Sequence, residues 1–526
     1  MKLYNIKKYF IAFGLGALLF TSCTDDLDVT PLDPDVTTAD KLFEDPNAYF
    51  QVLTRLYAGL AVTGQKGDDG NGLDITGSDP NEAQYIRAYW LPQVLTTDEA
   101  VIGWADRTIA DFHYQKWTES DLFVRNIYDR IMYQITVCNE FIRQANAGNN
   151  TPAEIETYIA EARFLRALSY WHALDLFGNV PFATEDDEVG LFFPEQTNRA
   201  DLFDYIESEL LAIEDKLVGT KLNDYGRADQ SAAWTLLTKL YLNATVYNGS
   251  DRNSDAATYA AKVINSSHTL ETNYEHLFLA DNHLSNGIIY SVNFDGIHTQ
   301  NYGGTTFLTH APVGGKMKAA DFGINGGWGG IRTTSAFVEK FADVTGNTDQ
   351  RAMFFTDGQN LEIGDIGSFT DGYAITKWKN LDRAGNQGSD AAGNFTDIDF
   401  PLFRLADVYL MYAEAVLRGG TGSSADALNY VNQLRERAYG NQSGNITSGE
   451  LTLDFILDER ARELYWEGHR RTDLIRFGHF TSNTYLWPWK GGTAEGTSTS
   501  NHLELFPIPS SDLNANPKLT QNQGYN

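Results

Sequence analysis

Cysteine is almost absent from this chain: Cys23 and Cys138 are the only two in 526 residues. A scaffold stapled by several disulfides is excluded, and stability has to come from the core itself. Basic residues are scarce as well, 40 Lys and Arg against 70 Asp and Glu, for a net charge of −30. Nucleic-acid affinity comes mainly from Lys and Arg neutralising phosphates, so this balance argues against a nucleic-acid partner. A neutral polymer is not repelled. The apolar run Ile11 to Phe20 falls short of the roughly 20 residues that span a bilayer. No group of His, Cys and carboxylate residues stands out at metal-ligand spacing.

What is present is a large folded protein. Hydrophobic residues at 42% and charged residues at 21% are ordinary for one, whereas 13% aromatic is high and leaves rings for a binding surface as well as the core. The length allows two or more lobes around a large core. Lys2, Lys7 and Lys8 precede the Ile11 to Phe20 run, and Thr21-Ser22-Cys23 follows it, which reads as an export signal. A Cys placed directly after small residues there is similar to a bacterial lipobox, with Phe20 where Leu is more usual. Residues 1–22 are then a lipoprotein signal peptide, Cys23 the acylated first residue, and residues 23–39 an acidic, Pro-containing tether. With Cys23 lipidated no intramolecular disulfide can form, and Cys138, in an apolar helical stretch, reads as an inert core residue.

The strongest helical pattern is EARFLRALSYWHALDLFGNVPF, residues 161–182. Leu165, Leu168, Trp171, Leu174 and Phe177 recur every three residues, and Gly178, Asn179 and Pro181 supply the stop. A stripe of this kind is core, and its use is architectural. Further helices are predicted from Leu42 to Leu60, Leu122 to Gln144, Pro152 to Phe177, Arg199 to Leu217, Arg227 to Tyr247, Leu402 to Arg418, Ser424 to Ala438 and Leu451 to Glu467. Their lengths and close spacing suggest antiparallel pairs of the tetratricopeptide type, so the fold class is mostly α. Asp79 to Thr108 mixes Tyr85, Tyr89, Trp90 and Trp104 with turn residues and shows no clean period. From Asn282 to Asn394 the composition turns to Gly, Thr, Asn and Asp, which predicts loops with a few short strands. The segment DERARELYWEGHRRTDLIRFG carries both signs, with Asp458 and Arg462 at i,i+4 and Glu459 and Arg462 at i,i+3, and reads as a salt-bridged structural helix.

The lipobox, EARFLRALSYWHALDLFGNVPF, GRADQSAAW, FPLFRLADVYLMYAEAV, RELYWEGHRRTDLIRFG and a late FPIP, in that order, resemble the SusD/RagB family of Bacteroidetes outer-membrane lipoproteins over essentially the whole mature chain. TTDEAVIGW, DGIHTQNYGGTTFL, YLWPWKGG and the closing QNQGY resemble its starch-binding members most. The resemblance implies a single domain over residues 40–526. It would consist of four tetratricopeptide-like helix pairs at about 40–280 and 400–480 and a loop-rich ligand face at about 282–394. It also implies a protein that is no enzyme: one anchored in the outer membrane by its lipid, capturing α-glucan or malto-oligosaccharide at the cell surface. The sugar would pass to a TonB-dependent transporter of the SusC type for import. Asp25 and Asp26, soon after Cys23, are similar to the acidic signal that sends such lipoproteins to the outer surface.

Carried over by motif, the glycan-binding positions are Trp104 after the TDE motif, Tyr302 in NYGG, Trp328 in the Gly-rich NGGW stretch, and Asp79 and Arg87 at their eight-residue spacing. Arg107 departs from the pattern, standing where the starch-binding members have Asn; it offers donors but no acceptor. Asp397 and Asp399 resemble a pair that helps hold a structural Ca²⁺ in those members, while the matching loop near Asn282 and His283 diverges; no cofactor is required.

The residue types suit the ligand independently of any relative. A sugar ring presents one apolar C–H face and a rim of hydroxyls, which flat aromatic rings, Asp acceptors and the Arg fork can engage. Gly beside Tyr302 and Trp328 suggests close approach of backbone to a ligand. Three other readings remain open: a different glycan, a peptide as in relatives of the RagB type, and a glycoside hydrolase. The hydrolase candidates, Asp98 and Glu99, are adjacent in one segment, whereas hydrolysis needs carboxyls on opposite sides of the bond, roughly 5 to 9.5 Å apart.

Overall fold

The computed structural model describes residues 39–64, 73–148, 150–188, 190 and 192–525. The signal peptide, Cys23 and the tether up to residue 38 lie outside the described residues. Among the described residues no helix is long and apolar enough to cross a membrane.

Twelve helices carry the architecture: α1 (Pro46–Ala58), α2 (Tyr85–Val94), α3 (Leu122–Ala147), α4 (Ile155–Leu176), α5 (Arg199–Ile213), α6 (Gln230–Leu242), α7 (Asn253–Ile264), α8 (Gly304–His310), α9 (Leu405–Leu417), α10 (Ser424–Tyr439), α11 (Leu453–Leu464) and α12 (Arg470–Arg476). The scaffold is a series of neighbours: α3 on α4, α4 on α5, α6 on α7, α7 on α9, and α9 on both α10 and α11. Side chains mark the starts. Asp121 accepts from the Phe123 and Val124 amides to cap α3, Asn198 from Ala200 and Asp201 to cap α5, and Asp229 from Ala232 to cap α6. In α4 the predicted stripe is buried as expected, and Gly178 ends the helix at a φ of 72°.

The α7/α9 pair is split in sequence. Between its helices the chain leaves the scaffold for residues 265–404 and returns through two strands, β2 (Ile288–Val292) and β4 (Phe400–Arg404), which pair antiparallel with Ile288 opposite Arg404 and Val292 opposite Phe400. The predicted helix from Leu402 therefore starts later, at Leu405, because residues 402–404 continue the strand. Inside the insert the expectation of loops and short strands holds, apart from α8 and the single helical turn Ser335–Val338, both too short to show a helical period. The period is missing from α2 for another reason: all ten of its residues are buried, so no face is left polar. The helix predicted from Arg227 to Tyr247 breaks at Asn243 into α6 and Ala244–Tyr247.

Buried charge ties the insert to the scaffold. Glu463 on α11 accepts from Arg404 at 2.6 Å, Arg437 at 2.6 Å and Arg351 at 3.2 Å, and Glu459 accepts from Arg351 at 2.7 Å and Arg435 at 2.8 Å. Glu467 takes Lys377 at 2.7 Å. Arg351, Lys377 and Arg404 belong to the insert. The structural reading of the charged segment is thus correct, but the single helix is not: the chain breaks after Leu464, with Trp466 and Gly468 at positive φ, and resumes as α12 at Arg470. Of its two predicted pairs Glu459–Arg462 forms, at 2.7 Å, while Asp458 reaches out of its own helix to Lys340 at 2.7 Å. Cys138 is buried, with its thiol pushed up to about 12 by burial. One contiguous apolar core runs from Tyr49 to Ile508 and includes Phe307, Ile331 and Trp378 of the insert.

Candidate functional site

Two segments far apart in sequence are brought to one ledge by a short antiparallel pair, β1 (Val101–Ile102) and β3 (Ile331–Arg332), with Val101 opposite Arg332. Trp104 emerges two residues after β1, and Trp328 precedes β3 by three. Their backbones are pinned close by: Gly103 N–H donates to the Gly330 carbonyl at 2.8 Å, and Trp328 N–H to the His310 carbonyl at the end of α8 at 2.9 Å. Tyr302 arrives from the turn that leads into α8.

The three rings form an arc with Trp328 in the middle, 6.2 Å between centroids to Trp104 and 6.2 Å to Tyr302. Each is half-buried, so an arc of aromatic surface stays open. Beneath it lie rings that the sequence did not single out. Phe307 is 6.1 Å from Trp104, His310 stacks on Trp328 at 4.8 Å and 23°, and Phe395 lies 4.9 Å from Tyr302. His310 Nδ1 bonds the Gly326 carbonyl at 2.7 Å, and burial lowers its pKa, keeping the ring neutral. Phe307 and His310 share a face of α8 at i,i+3 spacing, a signal that is legible only once that segment is known to be helical.

The glycines beside the rings make room for protein. A methyl group at Gly330 would fall inside the Trp104 indole, and one at Gly303 would collide with Gln84. The close approach predicted at these positions is therefore between parts of the chain.

Asp79 and Arg87 occupy different settings. Asp79 is exposed, and its Oδ1 accepts from the Asn81 and Glu82 amides at 2.8 and 3.1 Å, which fixes the turn before α2. Arg87 is buried on α2, its guanidinium 4.4 Å above the Phe307 ring, and burial pushes it down to about 10. Its Nε has no hydrogen-bond partner among the described residues. Arg87 thus supports the arc from below through Phe307. Asn81, absent from the predicted set, links this turn to the arc: its Oδ1 accepts from Tyr302 N–H at 3.1 Å. Arg107 is exposed beside the arc, at a φ of 24° in the left-handed region. Glu82 is raised by burial, opposed by Arg87 and Arg107.

The two hydrolase candidates are sealed in the core. Asp98 takes a two-pronged bond from Arg470 at 2.7 and 2.8 Å and another from the Tyr485 hydroxyl at 2.6 Å. Glu99 accepts from Trp466 N–H at 3.0 Å, and burial pushes it up to about 8. Neither carboxyl is available to a substrate, and the TDE motif serves to anchor β1, from which Trp104 projects.

At the tentative metal position the carboxylates face protein donors. Asp397 accepts from Gly296 N–H at 2.7 Å and from the Ser389 hydroxyl and amide, both at 2.6 Å, and Asp399 accepts from Phe294 N–H at 2.9 Å. Burial, with Asp397 and Asp295 nearby, pushes Asp399 up to about 7. Among the described residues no group of three or more His, Cys, Asp or Glu side chains is placed to hold a metal ion, so a Ca²⁺ ion at this pair would need backbone or amide carbonyls beside the two carboxylates.

With this geometry in place, comparison with known proteins is informative. The SusD family model matches residues 239–525. The chain is 37% identical to the starch-binding protein SusD of Bacteroides thetaiotaomicron over the full length of both, and 27% identical to the SusD-like protein P25 of Formosa agariphila over 100% of this chain and 99% of that one. Among solved structures, a SusD superfamily protein from Parabacteroides distasonis superposes with a TM-score of 0.70 at 24% identity, covering 91% of this chain and 99% of its own. The surface glycan-binding protein A of B. thetaiotaomicron, solved with laminarihexaose, gives 0.69 at 20% identity over 90% and 99%. A matching family model over more than half of the chain, a full-length relative at 37% identity and a shared helical architecture lead to one conclusion: this chain belongs to the SusD family.

Proposed function

We propose that the protein captures α-glucan at the cell surface without catalysis, holding it on the Trp104–Trp328–Tyr302 arc. The observation that carries this reading is the arc itself: three half-buried rings from three segments, two of them set side by side by the β1–β3 pairing, forming one aromatic surface. Aromatic faces suit the C–H faces of successive sugar rings and lose little side-chain entropy on binding. Exposed Asp79 and Arg107 flank it as hydroxyl partners. The relative at 37% identity is named for starch binding, which favours an α-glucan ligand. Cys23 would anchor the protein by lipid in the outer membrane, facing outwards, and a TonB-dependent transporter of the SusC type would receive the sugar.

A second reading keeps the capture role and changes the glycan. Arg107 favours it, since this departure removes an acceptor from the ligand edge, and a neighbour in fold was solved with laminarihexaose. The test is affinity electrophoresis and calorimetry of the chain lacking residues 1–23 against amylopectin, maltoheptaose, levan, laminarin and dextran, with Trp104→Ala alongside. The expected result is α-1,4-glucan binding that the substitution abolishes. Binding to none of these, or release of reducing sugar from starch, would overturn the proposal.

A further inference from the structure

A second cleft, of about 330 Å³, opens beside the arc. One wall is α1, through Phe50, Leu53 and Tyr57; the other is the loop Asp224–Arg227; the floor is β2, through Tyr290. Its volume lies at the lower end of the range for small-ligand sites. Two rings line the cleft while 42% exposed, Phe50 and Tyr225. Asp224 and Asn293, both exposed, add an acceptor and an amide at the rim. On the floor, Tyr290 is 2% exposed and turns its hydroxyl inwards, towards Glu161, Tyr85 and Cys138.

The cleft lies near the arc along the chain. Thr299 lines it, and Tyr302 stands three residues further on, so their Cα atoms are at most about 11 Å apart. The joint between them is fixed: Asn301 donates to the Pro80 carbonyl at 3.1 Å, and Gln84 donates to the Leu60 carbonyl at 2.7 Å, Leu60 being itself a cleft residue.

Resting on the capture reading above, we propose that this cleft is an extension subsite, which grips further sugar rings of a glucan chain already seated on the arc. Exposed aromatic rings and rim hydrogen-bonding groups match a neutral polyhydroxylated ligand. The net charge of −30 disfavours an anionic one. A chain long enough to engage both places gains affinity because its second contact is intramolecular, whereas a short oligosaccharide meets the arc alone.

The test is calorimetry of wild type, Tyr225→Ala, Phe50→Ala and the double variant with maltotriose and with amylose, melting temperature being recorded for each. Expected is a roughly tenfold loss of amylose affinity in the double variant, as fits the loss of about 1.4 kcal/mol of ring contact, with maltotriose affinity and melting temperature unchanged. Unchanged amylose affinity would overturn the subsite, and so would equal weakening towards both sugars, which would mean that the two rings merely support the arc. A wild type that binds neither sugar would fail earlier, at the capture reading, which the maltotriose titration reports separately.

Discussion

The Trp104 indole N–H points at the carbonyl of Trp328, 3.4 Å away, across a separation of 224 residues. A side chain from the segment before the helical scaffold is thus held against the backbone of the loop-rich insert, and neither half of the arc exists without the other. Five predictions follow from this and related contacts.

Trp104→Ala removes one end of the arc together with its contact to Phe307. Affinity for α-1,4-glucan should fall at least about tenfold, or about 1.4 kcal/mol, while the melting curve stays cooperative. Calorimetry with maltoheptaose and a thermal scan check both halves.

Gly330→Ala keeps every residue proposed to touch the ligand and sets a methyl group inside the Trp104 indole. The ring has to move, so binding should be lost nearly as completely as in Trp104→Ala, at a stability cost of about 1–3 kcal/mol. A variant that binds normally would show that the ring position is irrelevant.

Arg107→Asn restores an acceptor at the edge of the arc and places at a φ of 24° a residue type more at ease in the left-handed region. Maltoheptaose affinity should rise a few-fold with stability unchanged or slightly higher. A fall in affinity would mean that the guanidinium donors are worth more to the ligand than the acceptor that Asn supplies.

Removing Glu463 takes one carboxylate from Arg351 and Arg404, which keep Glu459 and Glu467, and strands Arg437 in the core. Glu463→Gln should cost about 3–5 kcal/mol in urea unfolding and weaken glycan binding, since two of these arginines lie in the insert that carries Tyr302 and Trp328. The affinity loss should be recoverable by working at lower temperature.

The stability that Glu99 contributes should also fall as pH rises from 5 to 8, read as the difference between wild type and Glu99→Gln. Burial holds Glu99 at about 8, above its unfolded value, so in that window the folded state binds the proton that the unfolded state has released. The stabilisation is complete below the unfolded value and disappears as pH climbs through 8, with a slope of at most about 1.4 kcal/mol per pH unit for one proton. Glu99→Gln, which mimics the protonated form, should flatten this part of the profile. The acid limb has the opposite sign: despite burial, Arg476 and Arg418 hold Glu414 at about 2, so its contribution is present above its unfolded value and is lost as pH falls towards 2. Melting temperatures from pH 3 to 9 test both limbs.

Much of this molecule was legible in the amino-acid order. Leu165, Leu168, Trp171 and Leu174 repeat with the helical period, and Gly178 and Pro181 stop it, because period and stop are local physics that need no partner. Trp104, Tyr302 and Trp328 were also visible, as rings in Gly-rich or irregular segments. Tertiary structure alone decided the rest. The helix around Trp90 gives no signal, since burial on every side erases its period. Asp98 and Glu99, candidates for chemistry in one dimension, became buried anchors once Arg470 and Trp466 closed over them. Arg87 turned inwards onto Phe307, and Phe307, His310 and Asn81 joined the site from positions that read as loop. Local preference fixes which segments coil and where they end; which ring meets which, across 224 residues, depends on a strand pair only two residues long and on the buried charges that dock the insert.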